Sequence, residues 1–117
     1  MYPYVKSLLR RRYPSYRGWS IIPQWDRGTY RPDFVVERRR RGLIERVIVE
    51  VKADCYIDLS HVEQLNEYAI YLAGRNVRIM KKILVIPAGA RISQPALDLI
   101  DEGDIEVVRL RSFTCGY

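Results

Sequence analysis

The hydrophobic pattern of this 117-residue chain changes period once, near residue 54, and that change constrains the fold more than any other feature. Before it, three segments rich in β-formers follow each other across short turn signals. Trp19 to Trp25 is the first, and Pro23 marks it as an edge or bent strand. Asp26-Arg27-Gly28 reads as a turn, and Pro32 to Arg39 resumes a strand through Phe34, Val35 and Val36. Arg40-Arg41-Gly42 then leads into Glu45–Ala53, where five of nine residues are Val, Ile or Ala. Strands so closely spaced imply an antiparallel meander. After it the period becomes helical. Ser60-His61-Val62-Glu63 has the form of a capping box, and a helix to about Ala73 carries Val62, Leu65, Ala69 and Leu72 on one seam, with Gly74 as its C-cap.

The flanks complete the order. Tyr4 to Arg12 reads as a short helix with Val5, Leu8 and Leu9 on one face, closed by Pro14. Lys82–Pro87 is a compact apolar strand, suited to a central position buried on both faces. A helix from about Gln94 to Asp101 follows, with Ser93 at its start and Leu97 and Ile100 inward, and Ile105–Leu110 is a last strand. The expectation is one α/β domain over residues 1–117, ordered α-β-β-β-α-β-α-β, with a mixed sheet covered by helices.

Charge is distributed unevenly. Residues 1–41 hold 11 Lys/Arg against 3 Asp/Glu, whereas residues 42–117 hold 9 against 11. A basic first third suits a polyanion, with nucleic acid the leading candidate. Arginine outnumbers lysine 16 to 4, and guanidinium groups offer paired donors to phosphate oxygens. Arg10, Arg11, Arg12, Arg31, Arg38, Arg39, Arg40 and Arg41 are the candidate nucleic-acid contacts. The last four are placed near the catalytic edge, while Tyr2, Tyr4, Tyr13, Tyr16 and Trp19 interleave with basic residues and would suit stacking on bases. Arginine richness also hints at a heat-adapted host. No apolar run reaches 18 residues, which argues against a membrane span, and no secretory signal is legible. Cys55 and Cys115 lie far apart, which reads as neither a disulfide framework nor a metal-ligand set; Cys55 is expected buried or half-buried and Cys115 in a loose tail, and an intracellular, reducing compartment fits.

The chemistry concentrates on two consecutive strands. Alternation sends Glu50 and Lys52 to one face and Val49 and Val51 to the other. An antiparallel partner strand brings Asp33 near Glu50. Two carboxylates at 4 Å repel by about 4 kcal/mol at an effective dielectric near 20, and a divalent cation between them converts repulsion into binding. Mg2+ takes one or two carboxylates plus waters and phosphate oxygens, so Asp33, Glu50 and the backbone carbonyl of Val51 are the candidate ligands, with Mn2+ a substitute. Lys52 would orient the attacking water or stabilise charge in the transition state.

Pro32-Asp33, a 16-residue gap and Glu50-Val51-Lys52 resemble the signature of the PD-(D/E)XK nuclease superfamily. The α-β-β-β-α-β order over residues 4–87 resembles that family's restriction-endonuclease-like core, leaving one helix and one strand as an addition. Gln64-Leu65-Asn66-Glu67-Tyr68 has the QxxxY form of RecB-like and lambda-exonuclease-type nucleases, and i, i+4 spacing lets Gln64 and Tyr68 reach the Lys52 end of the site. The resemblance implies a Mg2+-dependent deoxyribonuclease acting on single-stranded, duplex or branched DNA, with catalytic residues Asp33, Glu50, Lys52, Gln64 and Tyr68, and a homodimer. Archaeal Holliday-junction resolvases share the small size and basic character. One departure stands out: many members carry a glutamate in the first helix, whereas residues 1–25 contain no acid. Asp26 is a candidate substitute, and a non-catalytic nucleic-acid-binding module on the same fold is the alternative. His61 is expected as a surface or capping residue.

Overall fold

The computed structural model describes residues 1–23 and 31–115. The turn at Asp26-Arg27-Gly28, Trp25 and the substitute acid Asp26 lie outside the described residues. Helix α1 (Tyr2–Arg12) leads through a single 3-10 turn at Ser15–Arg17 into β1 (Ser20–Pro23), β2 (Phe34–Arg40) and β3 (Leu43–Val51). After a two-residue strand, β4 (Tyr56–Ile57), come α2 (Leu59–Leu72), β5 (Val77–Ala88), the two-residue β6 (Arg91–Ile92), α3 (Gln94–Glu102) and β7 (Ile105–Thr114). The main sheet has the order β1-β2-β3-β5-β7. Its first three strands form the expected antiparallel meander, and β5 and β7 add to it in parallel. Pro23 does sit on an edge strand, where a missing N–H costs nothing. Between β2 and β3 the pairing of Arg40 with Leu43 leaves a two-residue loop. Arg41 (φ 51) and Gly42 (φ 79) both take left-handed conformations there, the geometry that matches the twist of a tight hairpin and that Gly42 adopts without steric penalty.

Alternation along the strands builds two cores, one on each sheet face. Val35, Ile48, Leu84 and Ile86 face α2 and α3, meeting the predicted seam Val62, Leu65, Ala69 and Leu72 together with Ala96 and Ile100. Phe34, Val36, Val47, Val49, Ile83 and Val85 face α1, which inserts Val5 and Leu9. Both side chains are fully buried, and truncating Leu9 to Ala would cost about 2–5 kcal/mol through the cavity left behind. Within the expected segment Lys82–Pro87, residues 83–87 are buried on both faces and Lys82 is half-buried; the strand starts five residues earlier, in the half-exposed stretch 77–81.

Helix α1 crosses the sheet along one row of paired residues. That row runs Pro23, Phe34, Val49, Ile83 and Glu106 from β1 to β7. Its first residue, Tyr2, bonds to Asp33 beside Phe34, and its last, Arg12, makes a paired-donor contact with Glu106 at 2.8 and 2.9 Å. Ten helical steps rise about 15 Å, and three strand spacings from β2 to β7 span about 14 Å. Helix and sheet are matched in width.

Several expectations are corrected. The helix after β3 is capped by Asp58, whose carboxylate accepts from the backbone of Ser60 and His61, while His61 Nδ1 accepts from the Asp58 N–H. The reciprocal box is therefore Asp58/His61 and not Ser60/Glu63, two residues upstream in an overlapping window; His61 is a capping residue as expected. Ala73, in extended conformation, closes the helix, and Gly74 instead bridges to Val77. Leu97 is exposed; Ala96 and Ile100 are the residues that α3 buries. Cys55 is exposed and forms a disulfide with Cys115. The bond is possible because β7 continues past Leu110 and Cys115 N donates to Ala88 O, which carries the tail back beside the segment after β3. The paired cysteines remove the support that two free thiols lent to a reducing compartment. No described helix is long and apolar enough to cross a membrane.

Candidate active site at the end of the meander

Glu50 and Lys52 arise from the C-terminal end of β3, and Asp33 immediately precedes β2. The pairing of Phe34 with Val49 sets Asp33 against Glu50. The antiparallel register thus does what the sequence pattern required. Asp33 N–H donates to Glu50 Oε1 at 3.1 Å, and Val51 N–H donates to Asp33 Oδ2 at 2.7 Å. The Tyr2 hydroxyl donates to Asp33 Oδ1 at 2.9 Å. On the α2 side, Lys52 Nζ donates to Gln64 Oε1 at 2.9 Å and lies 3.8 Å from Glu50 Oε2. Tyr68 is buried on the same helix, one turn beyond Gln64. Asp33, Glu50, Lys52 and Gln64 are thus one connected group, with Tyr68 inside their electrostatic field.

Glu50 is 3% exposed and is the buried charged residue of the core. Burial, then the adjoining Asp33 carboxyl, pushes its acid up to about 8, against the pull of the Lys52 ammonium. One nearby ammonium is too little positive charge to offset burial and the adjoining carboxyl, so Glu50 keeps its proton at neutral pH. The Tyr68 phenol is held above its ordinary range by burial and then by the negative fields of Glu50 and Asp33. Burial and the hydrogen bond to Asp33 do the same for Tyr2. Both hydroxyls therefore remain donors.

Two adjoining carboxyl groups at strand ends are a donor set that suits one hard divalent cation, which takes its remaining ligands from water and phosphate oxygens. Among the described residues no three His, Cys, Asp or Glu side chains cluster suitably for a metal. The donor set here is the acid pair. In place of a first-helix acid, α1 supplies a phenol. The sequence marks Tyr2 only as a stacking aromatic, and nothing in its local pattern points to a partnership with Asp33.

The candidate DNA contacts divide. Arg10 and Arg11 are exposed on α1, and Arg31 is exposed two residues before Asp33. Arg12 is tied to Glu106, and Arg38 to Glu45 at 2.9 Å with its guanidinium 4.2 Å from the Trp19 ring centre. Arg39, Arg40 and Arg41 are exposed, but at the opposite end of β2. Seven strand residues at roughly 3.3 Å each put Arg40 about 23 Å from Asp33. The arginine hairpin is not at the catalytic edge. Of the aromatics, Tyr4 packs on Phe113 and Tyr13 on Trp19, whereas Tyr16 projects into solvent.

No protein-family model and no curated protein matches the sequence. Among solved structures the chain is similar to the crystal structure of a repair endonuclease from Pyrococcus abyssi, with a TM-score of 0.58 and 23% sequence identity. The match covers 91% of this chain and 45% of that one, so this chain spans less than half of that protein's length. What the two share is the fold: a five-stranded mixed sheet flanked by helices.

Proposed function

We propose that the protein is a divalent-cation-dependent nuclease that hydrolyses phosphodiester bonds in DNA, with Asp33, Glu50 and Lys52 at its centre. The observation that carries this reading is the pair of buried Glu50 and half-buried Asp33 at a strand end, joined through Lys52 to Gln64 on α2. A purely structural ion pair needs one carboxyl for its ammonium, and here a second, core-buried carboxyl is set against the first. The likeness in fold to a repair endonuclease supports the same direction, and DNA is taken as the substrate on that ground together with the basic first third.

Asp33 and Glu50, with the Val51 carbonyl, are the proposed ligands of one Mg2+, which Mn2+ would replace. When bound, the ion would polarise a phosphodiester oxygen and acidify a water. Holding the cation would require Glu50 as carboxylate, its proton passing to solvent water. Lys52, steered by Gln64, presents its ammonium to the attacking water and to the charge that develops on the phosphoryl oxygens. Tyr68 offers a hydroxyl donor in the same space, ordering the water or a phosphate oxygen. Tyr2 fixes the orientation of the Asp33 carboxylate from the other sheet face.

A metal titration with single-stranded, duplex, flap and four-way-junction DNA tests this. Expected is cleavage dependent on Mg2+ or Mn2+ that is lost in Asp33→Ala with the circular dichroism spectrum retained. Preference for the four-way junction would favour a resolvase-like enzyme. Unchanged cleavage in Glu50→Ala or Lys52→Ala would sink the assignment. The absence of a third acid in the cluster among the described residues favours one second reading, a DNA-binding module without catalysis. Salt-sensitive DNA binding with no cleavage at any metal concentration would select it.

A further inference from the structure

Two hollows on the α1 face meet at one lysine. The first, about 270 Å3, lies between Tyr2, Pro3, Pro23 and Phe34 and has Asp33 and Lys6 as its charged groups. The second, about 500 Å3, continues along the same helix past Lys6 and Arg10 to Tyr13, Tyr16, Trp19 and Ser20. Tyr2, Lys6 and Arg10 follow i, i+4, i+8 spacing and so stand on one stripe of α1, about 12 Å long. Among the described residues no carboxylate pairs with Lys6 or Arg10. Tyr16 is 83% exposed, too much for a core role.

We infer that these hollows form a track for an unpaired DNA strand, leading along α1 to the Asp33 end of the candidate active site. Cations spaced along a groove hold successive phosphates, and aromatic faces beside them take bases irrespective of sequence. Lys6, half-buried at the junction, holds the phosphate nearest the site, and Arg10 the one beyond it. Tyr16 stacks on a base at the far end. The walls of Tyr2, Phe34 and the two prolines receive the base nearest Asp33. An unpaired strand fits this arrangement better than a duplex, because bases in a duplex already stack on their neighbours. The inference names the substrate class for the nuclease reading and rests on it only for the direction of the track.

Fluorescence anisotropy tests it on the whole chain in EDTA, with a short labelled oligothymidylate, a blunt duplex of equal length and a series of salt concentrations. Each phosphate neutralised on a single strand contributes about −0.7 to the slope of log affinity against log salt. Lys6→Ala with Arg10→Ala should flatten that slope by about 1.4, Lys6→Arg should leave it unchanged, and Arg75→Ala, at the hairpin end, should too. Tyr16→Ala should weaken oligothymidylate binding by about 5- to 150-fold and leave the slope alone. An unchanged slope in the double variant overturns the track, and so does equal weakening of the blunt duplex by Tyr16→Ala. Because EDTA leaves no free divalent cation, the outcome is independent of cleavage. A protein that binds through the track but cuts nothing loses the nuclease reading and keeps the track; one that cuts but is indifferent to these substitutions does the reverse.

Discussion

Substituting Glu50 by Gln should make the cation-free protein more stable at alkaline pH, although Glu50 lies at the heart of the candidate site. In the unfolded chain this carboxyl titrates near 4.5, and in the fold burial, then the adjoining Asp33 carboxyl, makes Glu50 hold its proton up to about 8. Between those values the native state binds more protons than the unfolded state, so unfolding free energy falls as pH rises. The slope is about 1.4 kcal/mol per pH unit for one proton, which amounts to a loss on the order of 4 kcal/mol between pH 5 and 8. The glutamine side chain would keep an oxygen for the Asp33 N–H and present an amide donor toward the Asp33 side chain, replacing the Glu50 proton at every pH. Urea denaturation in EDTA at unit pH steps is the assay. With a urea slope near 2 kcal/mol per molar for a protein of this size, the wild-type midpoint should fall by about 2 M relative to the variant. Every other titrating group contributes alike to both proteins, so the difference isolates the pair. Mg2+ or Mn2+ at pH 8 should restore the wild type and leave Glu50→Gln unmoved. Parallel stability curves from pH 5 to 8 would refute the argument.

Three further outcomes can be checked on purified protein. Cys115→Ser releases a link between residues 60 apart; chain-entropy arguments assign about 4 kcal/mol to a loop of that size, and the melting temperature should drop by about 15 °C, as it should when the wild type is melted in reductant. Asp58→Ala should lower the melting temperature while Ser60→Ala, with its hydroxyl at the surface, and Glu63→Ala change it little, since the Asp58 carboxylate accepts the backbone bonds. Glu106 is held down to about 2 by Arg12 and Lys81; its stabilisation is complete above about 4.5 and lost as pH falls toward 2, so Glu106→Gln should lower stability most at neutral pH, flatten the acid dependence over that window and match the wild type near pH 2.

The parts of the fold that could be read from the sequence are those decided within a strand or a helical turn. Glu50 and Lys52 on one face, opposite Val49 and Val51, follow from alternation alone. The seam of α2 follows from its 3.6-residue period, and the meander from the shortness of its turns. What escaped depends on distance or on near-degenerate choices. Asp58/His61 and Ser60/Glu63 are competing boxes in one short window, and the phase of the helix start decides between them. Val77–Lys81 alternates exposed with half-buried residues as β5 extends along β3, so its apolar signal is diluted before Lys82. The Cys55–Cys115 bond needs the full parallel run of β7 beside β5, and no local pattern announces that. Tyr2 reaches Asp33 only because α1 lies across the sheet and not along it. Of the candidate site, the acids, Lys52 and Gln64 come together as the strand and helix periods require. The arginine hairpin lies at the far end because β2 runs away from Asp33, a separation that closeness in sequence conceals.

The crosswise helix has a mechanical consequence. Since α1 is tied to the acid pair at one end and to the far edge strand at the other, it acts as a strut of fixed length under the sheet. Shear between the antiparallel half and the parallel half cannot occur without pulling on Tyr2 or Arg12. The position of the Asp33 carboxylate is therefore gauged against β7, three strands away, and not against its hairpin neighbours alone.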